Sequence, residues 1–91
     1  MRAVRVLVRG KVQGVGFRWF VREAARRAEL AGWVRNLPDG GVELQAAGSE
    51  EGVAFLLDSI RRGPAGARVD DMRVSAADGS AELNTPFAVL R

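Results

Sequence analysis

The chain has 91 residues, 47% apolar and 27% charged, with a formal net charge of +3 carried almost wholly by arginine. That size fits one domain over residues 1–91 with a single core. There is no cysteine, histidine or tyrosine, which removes disulfides, thiolate nucleophiles, His-assisted serine or cysteine catalysis, phosphohistidine chemistry and the commonest zinc ligand.

Val4, Val6 and Val8 alternate with Ala3, Arg5, Leu7 and Arg9, which predicts a first strand. Arg5 and Arg9 interrupt any signal-peptide core, and no apolar run is long enough to span a membrane. The expected location is the cytoplasm, without a membrane partner. The modest positive charge suits small anions, whereas a nucleic-acid partner would need basic residues clustered on one face. A glycine-rich stretch follows the strand, and from Phe17 the period becomes helical. Phe17, Phe20, Val21, Ala24 and Ala28 form one stripe. Arg22, Arg26 and Arg27 lie outside it and read as a solvated face, with Glu23 and Arg27 spaced as an i,i+4 ion pair. Gly32 is expected near the helix C-cap.

Trp33 to Leu37 reads as a short strand, Pro38-Asp39-Gly40-Gly41 as a turn, and Val42, Leu44 and Ala46 as the returning arm of a hairpin. Ser49 is a good N-cap for a second helix with Glu50 and Glu51 at its positive end. Val53, Leu56, Leu57 and Ile60 are its apolar stripe, and Gly63-Pro64 stops it. Val69 to Ala76 is a fourth strand and Phe87 to Arg91 a short fifth, with turn signals at Asp78-Gly79-Ser80 and Asn84-Thr85-Pro86. Phe20, Phe55 and Phe87 are assigned to the core. The order β-α-β-β-α-β plus a terminal strand predicts an α+β, ferredoxin-like α/β sandwich. Its sheet is mostly antiparallel, with two helices on one face.

The segment Gly10-Lys11-Val12-Gln13-Gly14-Val15-Gly16-Phe17-Arg18 carries the chemistry. It lacks the Ser or Thr of a Walker A loop and the third glycine of a dinucleotide fingerprint. A glycine turn entering a helix can still present N–H groups from about Val15 to Arg18 to a tetrahedral anion, with the Arg18 guanidinium forking over it. The alternative is a tight strand–helix turn with a surface arginine. Asn36 is unusual for a strand. It either caps the strand before the turn or faces the loop, where a neutral amide can hold water without repelling a dianion.

Val8 to Arg18 resembles the first signature of the acylphosphatase family, VxGxVQGVxFR, without a departure. Gly32-Trp33-Val34-Arg35-Asn36 with Gly40, Val42 and Gly48 is similar to the second, and the resemblance runs over essentially the whole chain. It implies hydrolysis of the carboxyl–phosphate bond of acyl phosphates by a cytoplasmic monomer. The phosphate cradle is then Gln13, Gly14, Val15, Gly16, Phe17 and Arg18, with Arg18 binding phosphate and Asn36 positioning water. No metal or cofactor is implied, and inorganic phosphate or a similar anion should occupy the cradle. Such chemistry suits direct attack by water, because a carboxylate leaving group has a pKa of about 4 and departs without a general acid. An aspartyl intermediate is conceivable, but no acidic residue lies within either motif core, Asp39 being in the turn beyond Asn36. Two other functions fit the element order. An RNA-recognition module needs aromatics that the third strand, GVELQAAG, lacks. A domain of a carbamoyl-transferring hydrogenase maturation protein would be accompanied by further domains, and the end of the chain at Arg91 favours the stand-alone enzyme.

Overall fold

The computed structural model describes residues 1–77 and 83–90. The turn expected at Asp78-Gly79-Ser80 and the end of the fifth strand at Arg91 lie outside these residues. The elements are β1 (Arg2–Lys11), α1 (Phe17–Arg27), β2 (Ala31–Asn36), β3 (Val42–Gly48), α2 (Glu50–Arg62), β4 (Arg68–Ala76) and β5 (Ala88–Val89). They form one sheet of order β4-β1-β3-β2-β5. All pairings are antiparallel except that of β5 with β2. This is the ferredoxin-like sandwich expected from the sequence.

Alternation along the strands builds the core. Val4, Val6 and Val8 of β1, Val34 of β2 and Val42, Leu44 and Ala46 of β3 are buried on the helix face. Phe17, Val21, Ala24 and Ala25 of α1 and Val53, Leu56, Leu57 and Ile60 of α2 pack with them, together with Phe87. Phe55 departs from expectation: it is 39% exposed and points away from this core. Ser49 caps α2 as predicted, its Oγ accepting a hydrogen bond from the Gly52 N–H at 2.9 Å.

Gly32 does not cap α1. The helix ends at Arg27 with Ala28 as its C-cap, and Glu29 after it takes the left-handed conformation (φ 57°). The Glu29 N–H bonds the Arg26 carbonyl and the Leu30 N–H the Ala25 carbonyl, the paired bonds of a Schellman ending. Gly32 instead sits inside β2 at φ 145°, where a Cβ would lie 1.9 Å from the Gln45 carbonyl oxygen and 2.9 Å from the Phe87 ring. Close backbone approach, not helix termination, requires that glycine. The Glu23–Arg27 pair is also replaced: Glu23 Oε2 lies 3.5 Å from Arg22 Nη1.

Glu43 went unnoticed in the sequence. It lies on the sheet face away from the helices, yet its side chain is only 4% exposed. Arg5 of β1 and Arg35 of β2 reach across from both sides, with Arg5 Nε 2.5 Å from Oε2 and Arg35 Nε 2.8 Å from Oε1. Burial by itself would push the Glu43 carboxyl up. The hydrogen bonds and charges of Arg35 and Arg5 outweigh it and hold the pKa below its usual value.

Gly32→Ala should therefore lower stability by at least about 3 kcal/mol, read as a fall in denaturation midpoint. Glu43→Gln should cost on the order of 1 kcal/mol at neutral pH, a figure discounted because both guanidiniums are about half exposed. A depressed folded-state pKa stabilises above the unfolded value, about 4.3, and that contribution is lost as pH falls through the folded value. Urea midpoints of wild type and Glu43→Gln should accordingly converge below about pH 4.

Candidate active site

β1 and β2 both run antiparallel to the β3 strand between them, so their C-terminal ends open at the same end of the sheet. Val42 of β3 is the register partner of both Val8 and Asn36. β5 runs parallel to β2 and also ends there. The loop from β1 into α1 crosses this end, which gathers the residues singled out from the sequence.

The loop takes the left-handed conformation twice, at Gly14 (φ 75°) and Gly16 (φ 73°). A Cβ at either position would meet nothing within 4 Å. Backbone dihedral, rather than crowding, thus demands glycine, and the space above the loop stays open. Gly16 is the N-cap of α1 and has no side chain to satisfy the first N–H groups, and the first turn holds no acidic residue. The positive end of the helix is left uncompensated, an arrangement that attracts an anion. Val12 and Phe17, each 1% exposed, pin the loop into the core at both ends, with half-buried Val15 packed against it.

Gln13 is fixed by its side chain. Its Nε2 donates to the Leu37 carbonyl at 2.9 Å and to the Gly41 carbonyl at 2.8 Å. Both amide hydrogens are thereby committed to the β2–β3 turn. A contribution of Gln13 to a ligand would come from its backbone. Leu37 and Gly41 close that turn themselves through a 2.8 Å backbone bond. The amide therefore ties the loop to the segment directly after Asn36.

Arg18, in the first turn of α1, is half-buried, and its Nη1 donates to the Leu90 carbonyl at 3.0 Å. Leu90 is itself held by a 2.8 Å bond from its N–H to the Val34 carbonyl. The guanidinium is thus steered toward the end of β2. Asn36 shares the helix-facing side of β2 with Val34, and its Oδ1 is buried without a hydrogen-bond partner. Asp39 is differently placed. Its Oδ2 lies 2.6 Å from Arg9 Nη2, and its Oδ1 accepts the Gly41 N–H at 2.9 Å.

Sequence reasoning missed the carbonyls of Leu37, Gly41 and Leu90, which orient Gln13 and Arg18. A backbone acceptor has no sequence signature. A groove of about 470 Å³ lies at the other end of the sheet beside Met1, Glu29, Leu30 and Gly48 and contains none of these site residues.

A ferredoxin-like sandwich with an open, uncompensated helix N-terminus at the strand ends defines a small α/β protein built around a glycine turn. The acylphosphatase family model matches residues 4–89. An acylphosphatase from Methylococcus capsulatus is 52% identical over the whole of this chain and 98% of its own length. The crystal structure of acylphosphatase from Bacillus subtilis superposes with a TM-score of 0.93 at 35% identity, each chain fully covered. HypF from T. kodakarensis contains a similar fold, with a TM-score of 0.78 at 37% identity, of which this chain covers 12%. The chain belongs to the acylphosphatase family, whose members hydrolyse acyl phosphates.

Gln13→Ala should leave the Leu37 and Gly41 carbonyls without their side-chain donor, at about 1–3 kcal/mol of stability. Its KM for an acyl phosphate should rise, because the loop loses its tether. An unchanged melting temperature and KM would contradict the tethering role.

Proposed function

We propose that this protein cleaves the carboxyl–phosphate bond of acyl phosphates by direct attack of water on phosphorus. The phosphoryl group lies in the loop Gln13-Gly14-Val15-Gly16-Phe17, on backbone N–H groups, with Arg18 over it and Asn36 orienting the water. The carrying observation is the orphaned Oδ1 of Asn36. A buried carbonyl oxygen without a donor costs about 1–3 kcal/mol, and such groups are rare outside sites that await a partner. Once the amide swings Oδ1 out of its burial, a water molecule supplies that donor. Hydrogen-bonded to Oδ1, it keeps a lone pair for phosphorus.

As the new oxygen–phosphorus bond forms, the bond from phosphorus to the acyl oxygen breaks and its electron pair leaves on the carboxylate. The water proton passes to a phosphoryl oxygen. The carboxylate is a weak base and needs no general acid. Charge on the transferring group is met by the Arg18 fork and the α1 N-terminus, so catalysis rests on positioning and electrostatics. The commitments of Asp39 to Arg9 and to the Gly41 N–H favour water over an aspartyl intermediate. Among the described residues no three acidic side chains cluster as a metal site. We read the enzyme, over residues 1–91, as a metal- and cofactor-independent cytoplasmic monomer.

Arg18→Ala should lose at least about 100-fold in kcat/KM, and Arg18→Lys should recover little, because an ammonium cannot fork. Asn36→Ala should lower kcat far more than it raises KM. Benzoyl phosphate turnover with and without EDTA checks all three. Retained kcat in Asn36→Ala would reject the water-holding role.

A further inference from the structure

Arg18 also belongs to a second feature. Arg18, Arg22 and Arg26 are spaced i, i+4, i+8 along α1 and share one side of the helix, roughly 6 Å apart along its axis. They line a groove of about 430 Å³ with Trp19 and with Ala88 and Val89 of β5. Of the face expected to be solvated, Arg26 and Arg27 are exposed as expected, whereas Arg22 is half-buried, and Arg22 and Arg26 also line this groove. Two of its arginines are anchored to the edge strand: Arg18 Nη1 to the Leu90 carbonyl, and Arg26 Nε to the Phe87 carbonyl at 2.9 Å.

Arg22 stands between these anchors. Its side chain is 21% exposed, and its guanidinium carbon lies 4.2 Å from the centre of the Trp19 ring. Trp19 is 60% exposed, so the ring is held outside the core as a platform for that guanidinium. The acidic neighbour of Arg22 is Glu23, at 3.5 Å from Nη1. The groove lining contains three guanidiniums and no carboxylate among the described residues.

We propose that this groove is the acyl subsite and that Arg22, stacked on Trp19, selects acyl phosphates whose acyl part carries a second anionic group about one helical turn from the phosphate. The inference rests on the reading of Arg18 as the phosphate-binding arginine. With the phosphate at Arg18, the acyl chain runs along α1 between the helix and β5. A distal carboxylate or phosphate then meets the Arg22 fork, while Ala88 and Val89 offer an apolar wall to the carbon skeleton. A planar guanidinium, fixed on a ring face and still presenting its edge, suits a bidentate anion.

The test compares 4-carboxybenzoyl phosphate with benzoyl phosphate, a pair that differs by the distal carboxylate. Wild type should prefer the charged substrate by about tenfold in kcat/KM, a factor worth about 1.4 kcal/mol, and the preference should shrink as salt screens a partly exposed pair. In Arg22→Gln the ratio of the two kcat/KM values should fall to near one. In Arg27→Gln, on another side of α1, it should stay at the wild-type value. The ratio is insensitive to the fraction of folded enzyme, so a merely structural defect does not mimic the result. Turnover of both substrates by wild type at equal efficiency would overturn the subsite and leave the hydrolase reading standing. An unchanged ratio in Arg22→Gln would remove Arg22 from it. Failure of wild type to hydrolyse either substrate would overturn both readings together.

Discussion

The two hydrogen bonds from Gln13 to the carbonyls of Leu37 and Gly41 hold the active end of the molecule together. The loop and the β2–β3 turn are separated by more than twenty residues and by the whole of α1. No strand pairing joins the loop itself to that turn. The amide spans the gap, so the anion-binding backbone and the strand end bearing Asn36 keep one spacing. Elsewhere such precision comes from packing: Val12 and Phe17 bury at either end of the loop and leave only its glycines facing outward. A rigid frame around a flexible-looking turn is what preorganised binding of a small anion requires.

Electrostatics divides the protein by sheet face. On the face away from the helices, Glu43 is clamped between Arg5 and Arg35, and Arg9 and Arg73 are each paired with an aspartate. Arg5, Arg35 and Arg9 are spent on holding neighbouring strands or a turn, and Arg73 on Asp71 of its own strand. Along α1 the pattern differs. Arg18 and Arg26 donate to backbone carbonyls, which orient a guanidinium without neutralising it. At Arg18, in the first turn of α1, positive charge is thus left where the helix dipole already favours an anion, although the chain as a whole carries only +3. Net charge alone would not reveal this concentration.

The fold was legible because each element carries its own period and punctuation. The valines of β1, the stripe of α2, and Ser49 as its cap all stand where local physics put them. Gly32 misled because a glycine soon after a helical stripe has two meanings. Only the tertiary contact with Gln45 and Phe87 separates a helix terminator from a strand residue pressed against a neighbouring backbone. Glu43 was invisible for a related reason: its alternation marks it as solvent-facing, and its burial comes from two arginines on other strands. At the site, the glycines, Arg18 and Asn36 were readable as residue types suited to a phosphate. Their orienting partners were not, since the carbonyls of Leu37, Gly41 and Leu90 become partners only when the sheet assembles. Likewise, nothing in the spacing of Arg22 distinguished a solvated face from a groove wall. The edge strand β5 makes that difference.

The central claim is that water attacks phosphorus while the acyl carboxylate leaves. Hydrolysis of benzoyl phosphate in water enriched in heavy oxygen, with mass analysis of both products, tests it most directly. The account predicts the label in the released phosphate and none in the benzoate. Label in the benzoate would mean attack at the carbonyl carbon, and the roles given to Asn36 and the cradle would be wrong.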